Sequence, residues 1–207
     1  LLTGNIGLPG TGLHPLRGQN NVQGASDAGL IPMVFPDYRS VEDLDIHSNM
    51  ENFWNTELDN KKGLTVVEII DNVCKGKIKG MYVMGENPVM SDPDQNHPID
   101  GMKKLDTLVV QDIFMTETAW YADIILPASA HAEKNGTFTN TNRQVQMGRK
   151  VVNPPGQARE DLDIIIDLAN ALGLNWQYER LCMIMLIPYM LSTGIIFNKK
   201  SCYFLWN

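Results

Sequence analysis

Two stretches of the chain carry apolar residues at the spacing of an amphipathic helix. The first runs from Thr65 to Lys75, with Thr65 as its N-cap and Gly76 at its end. The second runs from Asp161 to Leu172 and ends at Gly173. The pattern predicts a single apolar face on this second helix, formed by Ile164, Ile165, Leu168 and Leu172.

Three short apolar runs are typical of strands rather than helices. They cover Ile78 to Met84, Lys104 to Gln111 and Ile124 to Leu126, and the last of them is predicted to be a buried strand closed by Pro127. A short helix is expected from Thr116 to Tyr121. Helices and strands in this order predict an α/β fold built on a parallel sheet.

The remaining segments have weaker patterns. Residues 1–36 are rich in Gly, Asn and Pro and predict loops and turns, with at most a short helix near Gly24 to Leu30. Residues 37–62 predict a surface excursion with short helices, and Pro93 to Pro98 a polar loop. Residues 137–152 alternate in polarity, as in a hairpin.

Polar turn residues follow each of the predicted strands. Gly85 to Pro88, Gln111 with Asp112, and Pro127 would meet at one edge of a parallel sheet, where ligands of such sheets bind. Asp112 could accept two hydrogen bonds from the N1–H and amino group of a guanine. Spacing alone favours the alternative, in which Asp112 caps the helix near Thr116 or closes a turn.

Residues 14–24 hold one Arg, four amide side chains and two Gly. So many hydrogen-bonding groups do not suit a core element, and they favour either a loop that lines a site or a polar surface loop. Arg17 offers a planar fork that suits a carboxylate or a phosphate. Gly18 and Gly24 would let the backbone approach a ligand closely.

Composition narrows the class of protein. The chain has 207 residues, 43% of them hydrophobic and 20% charged, which is typical of a globular protein. The net charge of −7 and the dispersed Lys and Arg argue against a nucleic-acid partner. Cys74, Cys182 and Cys202 lie far apart, without zinc or iron–sulfur spacing, and fit a reducing compartment. Cys74 is expected to be a buried structural thiol.

Five short sequence motifs, in this order along the chain, together resemble those of a known family. The chain resembles the catalytic (alpha) subunit of molybdenum-dependent formate dehydrogenases, within the family that binds molybdenum or tungsten through two molybdopterin guanine dinucleotides. The resemblance covers residues 1 to about 178 and implies a Rossmann-like form of the parallel sheet. The strings that carry it are Gly4–Gly12, Pro15–Ala25, Met84–Pro88, Gln111–Ala119 and Ala122–Pro127 with Glu133–Asn140.

The resemblance implies catalytic roles for two residues: Arg17 would orient formate, and Gln19 would lie close to the metal. It also implies guanine dinucleotide contacts for Asn87, Gln111, Asp112, Thr116, Lys134 and Asp161, with Thr118 nearby. Lys134 would meet pyrophosphate as a point charge, with a solvated surface lysine as the alternative. For Asp161, a capping role competes with ligand contact.

The resemblance divides the chain into four segments. Residues 1–36 would be an active-site loop segment, 37–130 an α/β dinucleotide-binding segment, and 131–178 the hairpin and helix of the molybdopterin domain. Residues 179–207 match nothing expected of the family at this point and are predicted to be an aberrant apolar tail, from a frameshift or a readthrough. Their apolar run has only the length of a marginal membrane span, and Pro188 and Gly194 interrupt it. A membrane partner is therefore not expected.

Several features of such enzymes are not found in the chain. The 4Fe–4S cysteine cluster, the metal-ligating cysteine or selenocysteine and the C-terminal domain are missing, so we expect an internal fragment of a larger multidomain molybdoenzyme, inactive alone. The whole enzyme would be cytoplasmic and would oxidise formate, passing electrons to an NAD-linked, ferredoxin or other acceptor subunit. The alternatives are another molybdopterin oxidoreductase, such as a nitrate reductase, and a non-catalytic nucleotide-binding remnant.

Overall fold

The computed structural model describes residues 2–176, which form six α-helices and seven strands. The helices are α1 Val22–Asp27, α2 Leu44–Trp54, α3 Val66–Cys74, α4 Pro88–Ser91, α5 Asn96–Met102 and α6 Asp161–Ala171. The strands are β1 Val34–Phe35, β2 Arg39–Ser40, β3 Gly80–Met84, β4 Thr107–Asp112, β5 Ile124–Pro127, β6 Gly136–Thr139 and β7 Val145–Gly148. Short 3-10 turns cover Pro36–Tyr38, Ala119–Tyr121 and His131–Glu133.

A parallel sheet in the order β3-β4-β5 forms the centre of the described chain, which confirms the predicted α/β class. β4 is the middle strand, and Val110 pairs with Val83 on one side and with Ile125 on the other. Because the strands run in parallel, their carboxyl ends lie at one edge of the sheet. The polar turn residues after the strands therefore meet at this edge, as predicted from the sequence.

The core lies between one face of this sheet and the helices α3 and α5. It contains Ile70, Val83, Val89, Met102, Leu108, Val110 and Ala119. The helix predicted from Thr65 forms as α3: Thr65 N donates to Glu68 Oε2 at 2.8 Å and Glu68 N donates to Thr65 Oγ1 at 3.5 Å, a capping box. Gly76 follows the helix at φ +70°, a conformation that favours glycine.

Two predictions about buried surfaces were wrong. β5 is an edge strand within the described residues. Ile124 and Ile125 face opposite sides of the sheet and are 49% and 41% exposed, so the described residues cover neither side of this strand well. On α6, Ile164 is buried, but Leu168 and Leu172 are exposed. The buried residues of this helix are Asp161, Ile164 and Ala169, so the buried face is narrower than the predicted one.

The segment Pro93 to Pro98, predicted to be a loop, contains the beginning of α5. Asp94 ends the loop, since its Oδ1 accepts from Asn96 N at 3.3 Å and its carbonyl accepts from His97 N at 3.0 Å. The sequence did not predict that a helix begins at Asn96, because Pro98 lies only two residues further on. Proline is nevertheless well tolerated in the first turn of a helix. Pro98 is buried there.

The segments outside the central sheet largely follow their predictions. The short N-terminal helix forms as α1, slightly before its predicted position, and the excursion over 37–62 contains α2. The hairpin forms from β6 and β7, with Thr139 paired to Val145. Cys74 is only half-buried, less than predicted, and its Sγ donates to His97 O at 3.3 Å.

The described residues contain no helix with the length and apolar character needed to cross a membrane. Over the same part of the chain, no group of three or more His, Cys, Asp and Glu side chains could hold a metal ion. The predictions for residues 179–207, including Cys182 and Cys202, lie outside the described residues.

Candidate functional site

Arg17 and Gln19 lie at one cavity, which we call the amide cavity because amide and hydroxyl side chains dominate its walls. Its volume is about 290 Å³. Its lining residues are Leu16, Arg17, Gln19, Asn20, Asn21, Val22, Gln23, Phe138, Thr139, Asn140, Thr141 and Gln146. The polar string found in the sequence therefore faces the β6–β7 hairpin, a partner more than one hundred residues away along the chain.

Asn21 joins the two walls of the amide cavity. Its Oδ1 accepts from Thr139 N at 2.8 Å, and its Nδ2 donates to Thr137 O at 3.3 Å. Asn21 has φ +60°, a left-handed conformation that asparagine tolerates better than most residues. Sequence reasoning placed Asn21 in the polar string but could not identify β6 as its partner.

The guanidinium of Arg17 is exposed, and one of its donors is already engaged. Nη2 donates to Gln23 Oε1 at 3.4 Å. Gln23 is buried, and its Nε2 donates to Asp27 Oδ1 at 2.7 Å and to the Tyr38 hydroxyl at 3.1 Å. The remaining edge of the Arg17 fork can receive a planar anion.

A second group, which we call the buried quartet, consists of the buried Gln111 and Asp161 and the partly buried Tyr82 and Lys134. The Tyr82 hydroxyl donates to Gln111 Oε1, and Gln111 Nε2 donates to Asp161 Oδ1 at 2.7 Å. Lys134 Nζ forms an ion pair with Asp161 Oδ2. Burial raises the pKa of Tyr82, and the negative charge of Asp161 raises it further.

The buried quartet brings together three of the predicted cofactor-binding residues, Gln111, Lys134 and Asp161. Its contacts also decide between a surface and a buried position for Lys134, and between a capping and a bridging role for Asp161. Lys134 is not a solvated surface lysine, because its side chain is 15% exposed. Asp161 is the first residue of α6, where a negative charge is favourable, but Glu160 holds the N-cap position. The Asp161 carboxylate therefore binds β4 and the Lys134 segment together instead of capping the helix with its side chain.

Asn87 connects the turns that follow β3 and β4. Its Oδ1 accepts from Thr118 N at 3.1 Å and from Thr118 Oγ1 at 2.8 Å. Its Nδ2 donates to Glu117 Oε2 at 2.7 Å, and this hydrogen bond is the main reason that the pKa of Glu117 is lowered. Thr118 is fully buried and also accepts from Val89 N at 3.2 Å. The predicted Thr116 accepts from Ala119 N at 3.3 Å.

Asp112 closes the turn after β4, as one of its two alternatives predicted. Its Oδ1 accepts from Phe114 N at 3.1 Å, while Oδ2 has no hydrogen-bond partner among the described residues. Asp112 can therefore close the turn with Oδ1 and still accept a hydrogen bond from a ligand with Oδ2. A second cavity of about 250 Å³ opens beside this turn. Its lining residues are Ile113, Phe114, Pro127, Ala128, Ala130, Glu133, Pro155, Gln157 and Ala158.

Sequence reasoning missed Ser129, which lies between two residues of the second cavity. Ser129 is 1% exposed, and its hydroxyl is the single buried side-chain group of residues 2–176 without a hydrogen-bond partner. No motif marked it, because one serine after a short strand is common.

Comparison with known proteins identifies the family. The family model described as "Molybdopterin oxidoreductase" matches residues 1–171. The F420-dependent formate dehydrogenase subunit alpha of Methanocaldococcus jannaschii is 58% identical over 173 residues, which is 84% of this chain and 25% of that relative. The chain thus spans about a quarter of that relative's length.

Two Bacillus subtilis relatives match almost the whole chain, including most of residues 179–207. "Probable oxidoreductase YjgC" is 46% identical over 206 residues (98% of this chain, 21% of the relative), and "Putative formate dehydrogenase YrhE" is 42% identical over 209 residues (100% and 21%). Among solved structures, acetylene hydratase from Pelobacter acetylenicus matches 52% of this chain and 16% of that chain at 26% identity, with a TM-score of 0.47. From its family match, this chain belongs to the molybdopterin oxidoreductases.

Proposed function

We propose that the chain is part of the alpha subunit of a formate dehydrogenase and that Arg17 binds the carboxylate of formate. The observation that carries this proposal is the edge of the Arg17 guanidinium at the amide cavity that has no partner within residues 2–176. A planar fork with two parallel N–H donors matches a carboxylate in geometry and charge. The identity to formate dehydrogenase alpha subunits supports the same substrate.

The amide cavity fits a pterin by its chemistry. A pterin has a polar edge that both donates and accepts hydrogen bonds, and the side chains of Gln19, Asn20, Asn140 and Gln146 can do both. When bound, the cofactor would supply the two-electron acceptor for the oxidation of formate to carbon dioxide, in which formate loses two electrons and a proton. The chain's own part is to bind formate through Arg17 and to hold it in one orientation, with Gln19 beside it.

The guanine dinucleotide form of the cofactor is part of the proposal. Asp112 Oδ2 would accept from guanine, since Oδ1 is used in its turn. Lys134 and Asp161 would support the dinucleotide as a preformed pair, and Gln111, Asn87 and Thr116 would shape the edge where the strands end. A 4Fe–4S cluster would belong to another part of the subunit.

The enzyme would also need an electron-acceptor subunit and would work in the cytoplasm. F420 is the first acceptor to test, because the M. jannaschii relative is named for it. NAD-linked and ferredoxin-linked acceptors are the next choices.

The decisive test is Arg17→Ala in the intact, cofactor-loaded subunit. Formate turnover should be lost while molybdenum or tungsten content stays near that of the unmodified enzyme. Arg149→Ala is the matched control, since Arg149 is exposed and lies outside the lining of the amide cavity. Loss of the metal in Arg17→Ala would instead make Arg17 a cofactor-binding or folding residue, and retained formate turnover would reject the proposal.

A non-catalytic nucleotide-binding role is the second candidate, favoured by the free oxygen of Asp112 beside an apolar cavity. Titration of the chain with GMP, followed by its melting temperature, tests it directly. A rise that is abolished by Asp112→Asn supports nucleotide binding. No shift at millimolar GMP counts against a preformed guanine site.

A further inference from the structure

Gln23 is the buried neighbour of Arg17, and no role has been assigned to it above. Its side chain lies in the wall of the amide cavity and is 7% exposed. It has three polar partners: Arg17 on one side of the amide, and Asp27 and Tyr38 on the other. A buried amide with all these contacts has little freedom to rotate.

The partners also determine which way the amide points. The Asp27 carboxylate can only accept, so the NH₂ group of Gln23 faces it at 2.7 Å. The carbonyl oxygen must then face Arg17, which can only donate. A flipped amide would set its oxygen against the Asp27 carboxylate and its NH₂ group against the guanidinium, two repulsive contacts.

The surroundings hold this arrangement in place. Gln23 and Asp27 are four residues apart on α1 and therefore lie on the same face of that helix. Tyr38 adopts φ +58°, an uncommon conformation for an aromatic residue, and its ring lies 5.9 Å from the guanidinium carbon of Arg143 on the hairpin. Arg143 itself has φ +65°. Unfavourable backbone conformations of this kind persist where the surrounding structure enforces them.

We infer that Gln23 is a positioning residue for Arg17, and this inference rests on the proposed function. By accepting from Nη2, Gln23 occupies one donor of the guanidinium and turns the remaining edge toward formate. Asp27 acts one step further away, because it holds the Gln23 amide in the orientation that offers an acceptor. Neither residue needs to touch the substrate.

The test compares four variants of the intact, cofactor-loaded subunit: Gln23→Met, Asp27→Asn, the double variant and the control Gln95→Met. Methionine keeps the length of the side chain and removes its hydrogen bonds. Asparagine can present either an acceptor or a donor to Gln23, so it no longer forces one amide orientation. Gln95 is exposed and lies outside the amide cavity. Metal content and melting temperature identify variants that fail to fold.

In Gln23→Met we expect the KM for formate to rise about tenfold with little change in kcat, as when a group that aids substrate binding is lost. Asp27→Asn should raise KM by less. The double variant should match Gln23→Met alone, because both changes act on the same contact. If Gln23→Met does not fold, the test is the KM for formate of Asp27→Asn, which should be higher than that of Gln95→Met.

Two results would overturn the inference: a KM in Gln23→Met equal to that of Gln95→Met, or effects of the two single changes that simply add. Failure of the proposed function would look different. In that case the unmodified enzyme would not oxidise formate, or Arg17→Ala would leave turnover intact. Arg17-dependent turnover with an unchanged Gln23→Met rejects only the role of Gln23.

Discussion

The ion pair between Lys134 and Asp161 leads to a quantitative prediction about stability. The two side chains are 15% and 9% exposed, so water screens their charges poorly. Lys134→Met removes the positive charge and leaves the Asp161 carboxylate buried, with Gln111 Nε2 as its remaining side-chain hydrogen-bond donor among the described residues. Removing one partner of a buried pair destabilises proteins by about 3–5 kcal/mol. Because Asp161 keeps this hydrogen bond, we expect about 3 kcal/mol, the lower end of that range.

The assay is urea unfolding of the unmodified chain and its variants. The exposed pair of Lys75 and Asp71, at 61% and 46% exposure, is the matched control, and Lys75→Met should cost at most about 0.5 kcal/mol. Lys134→Met with Asp161→Asn should recover much of the loss, since asparagine carries no charge and can still accept from Gln111. A loss in Lys134→Met no larger than that in Lys75→Met would refute the reasoning. It would mean that solvent reaches the Asp161 carboxylate freely.

Two further predictions concern single contacts. The pKa of Glu117 is lowered mainly by its hydrogen bond from Asn87, so this contact stabilises the folded chain at neutral pH and the stabilisation is lost as pH falls through the lowered pKa. In Asn87→Ala, NMR titration should show the pKa of Glu117 rising toward its ordinary value. An unchanged pKa would exclude Asn87 as the cause. Gly29 has φ +88°, and a Cβ there would lie 2.7 Å from Pro36 N, so Gly29→Ala should destabilise the chain by more than about 1 kcal/mol. Gly136→Ala is its control in the same urea assay, because a Cβ at Gly136 meets nothing within 4 Å and φ there is not positive.

The buried quartet shows how far sequence patterns can lead toward a site. The resemblance marked Gln111, Lys134 and Asp161 separately as ligand contacts, and the structure shows that they bind one another. Their contact with a dinucleotide stays a prediction. Tyr82 could not have been found, because a tyrosine inside an apolar strand carries no sign of which side chain its hydroxyl meets.

The same limit explains the errors in the fold. Periodicity reports which residues share a face of a helix or strand, but not whether another element covers that face. Leu168 and Leu172 of the second predicted helix and Ile124 and Ile125 of β5 were therefore predicted to be buried, and they are exposed in residues 2–176. For Pro93 to Pro98, local turn signals hid a helix whose first turn accommodates a proline.

By itself the sequence determined the local elements and the family. The capping box of α3, the strands of the parallel sheet and the polar string around Arg17 depend on residues close together in the chain, and short-range chemistry specifies them. Only the tertiary structure decided which side chains meet: Asn21 with the hairpin, Gln23 with Arg17 and Tyr38, and Lys134 with Asp161. Contacts between distant segments depend on how whole elements pack, and no local pattern records that packing.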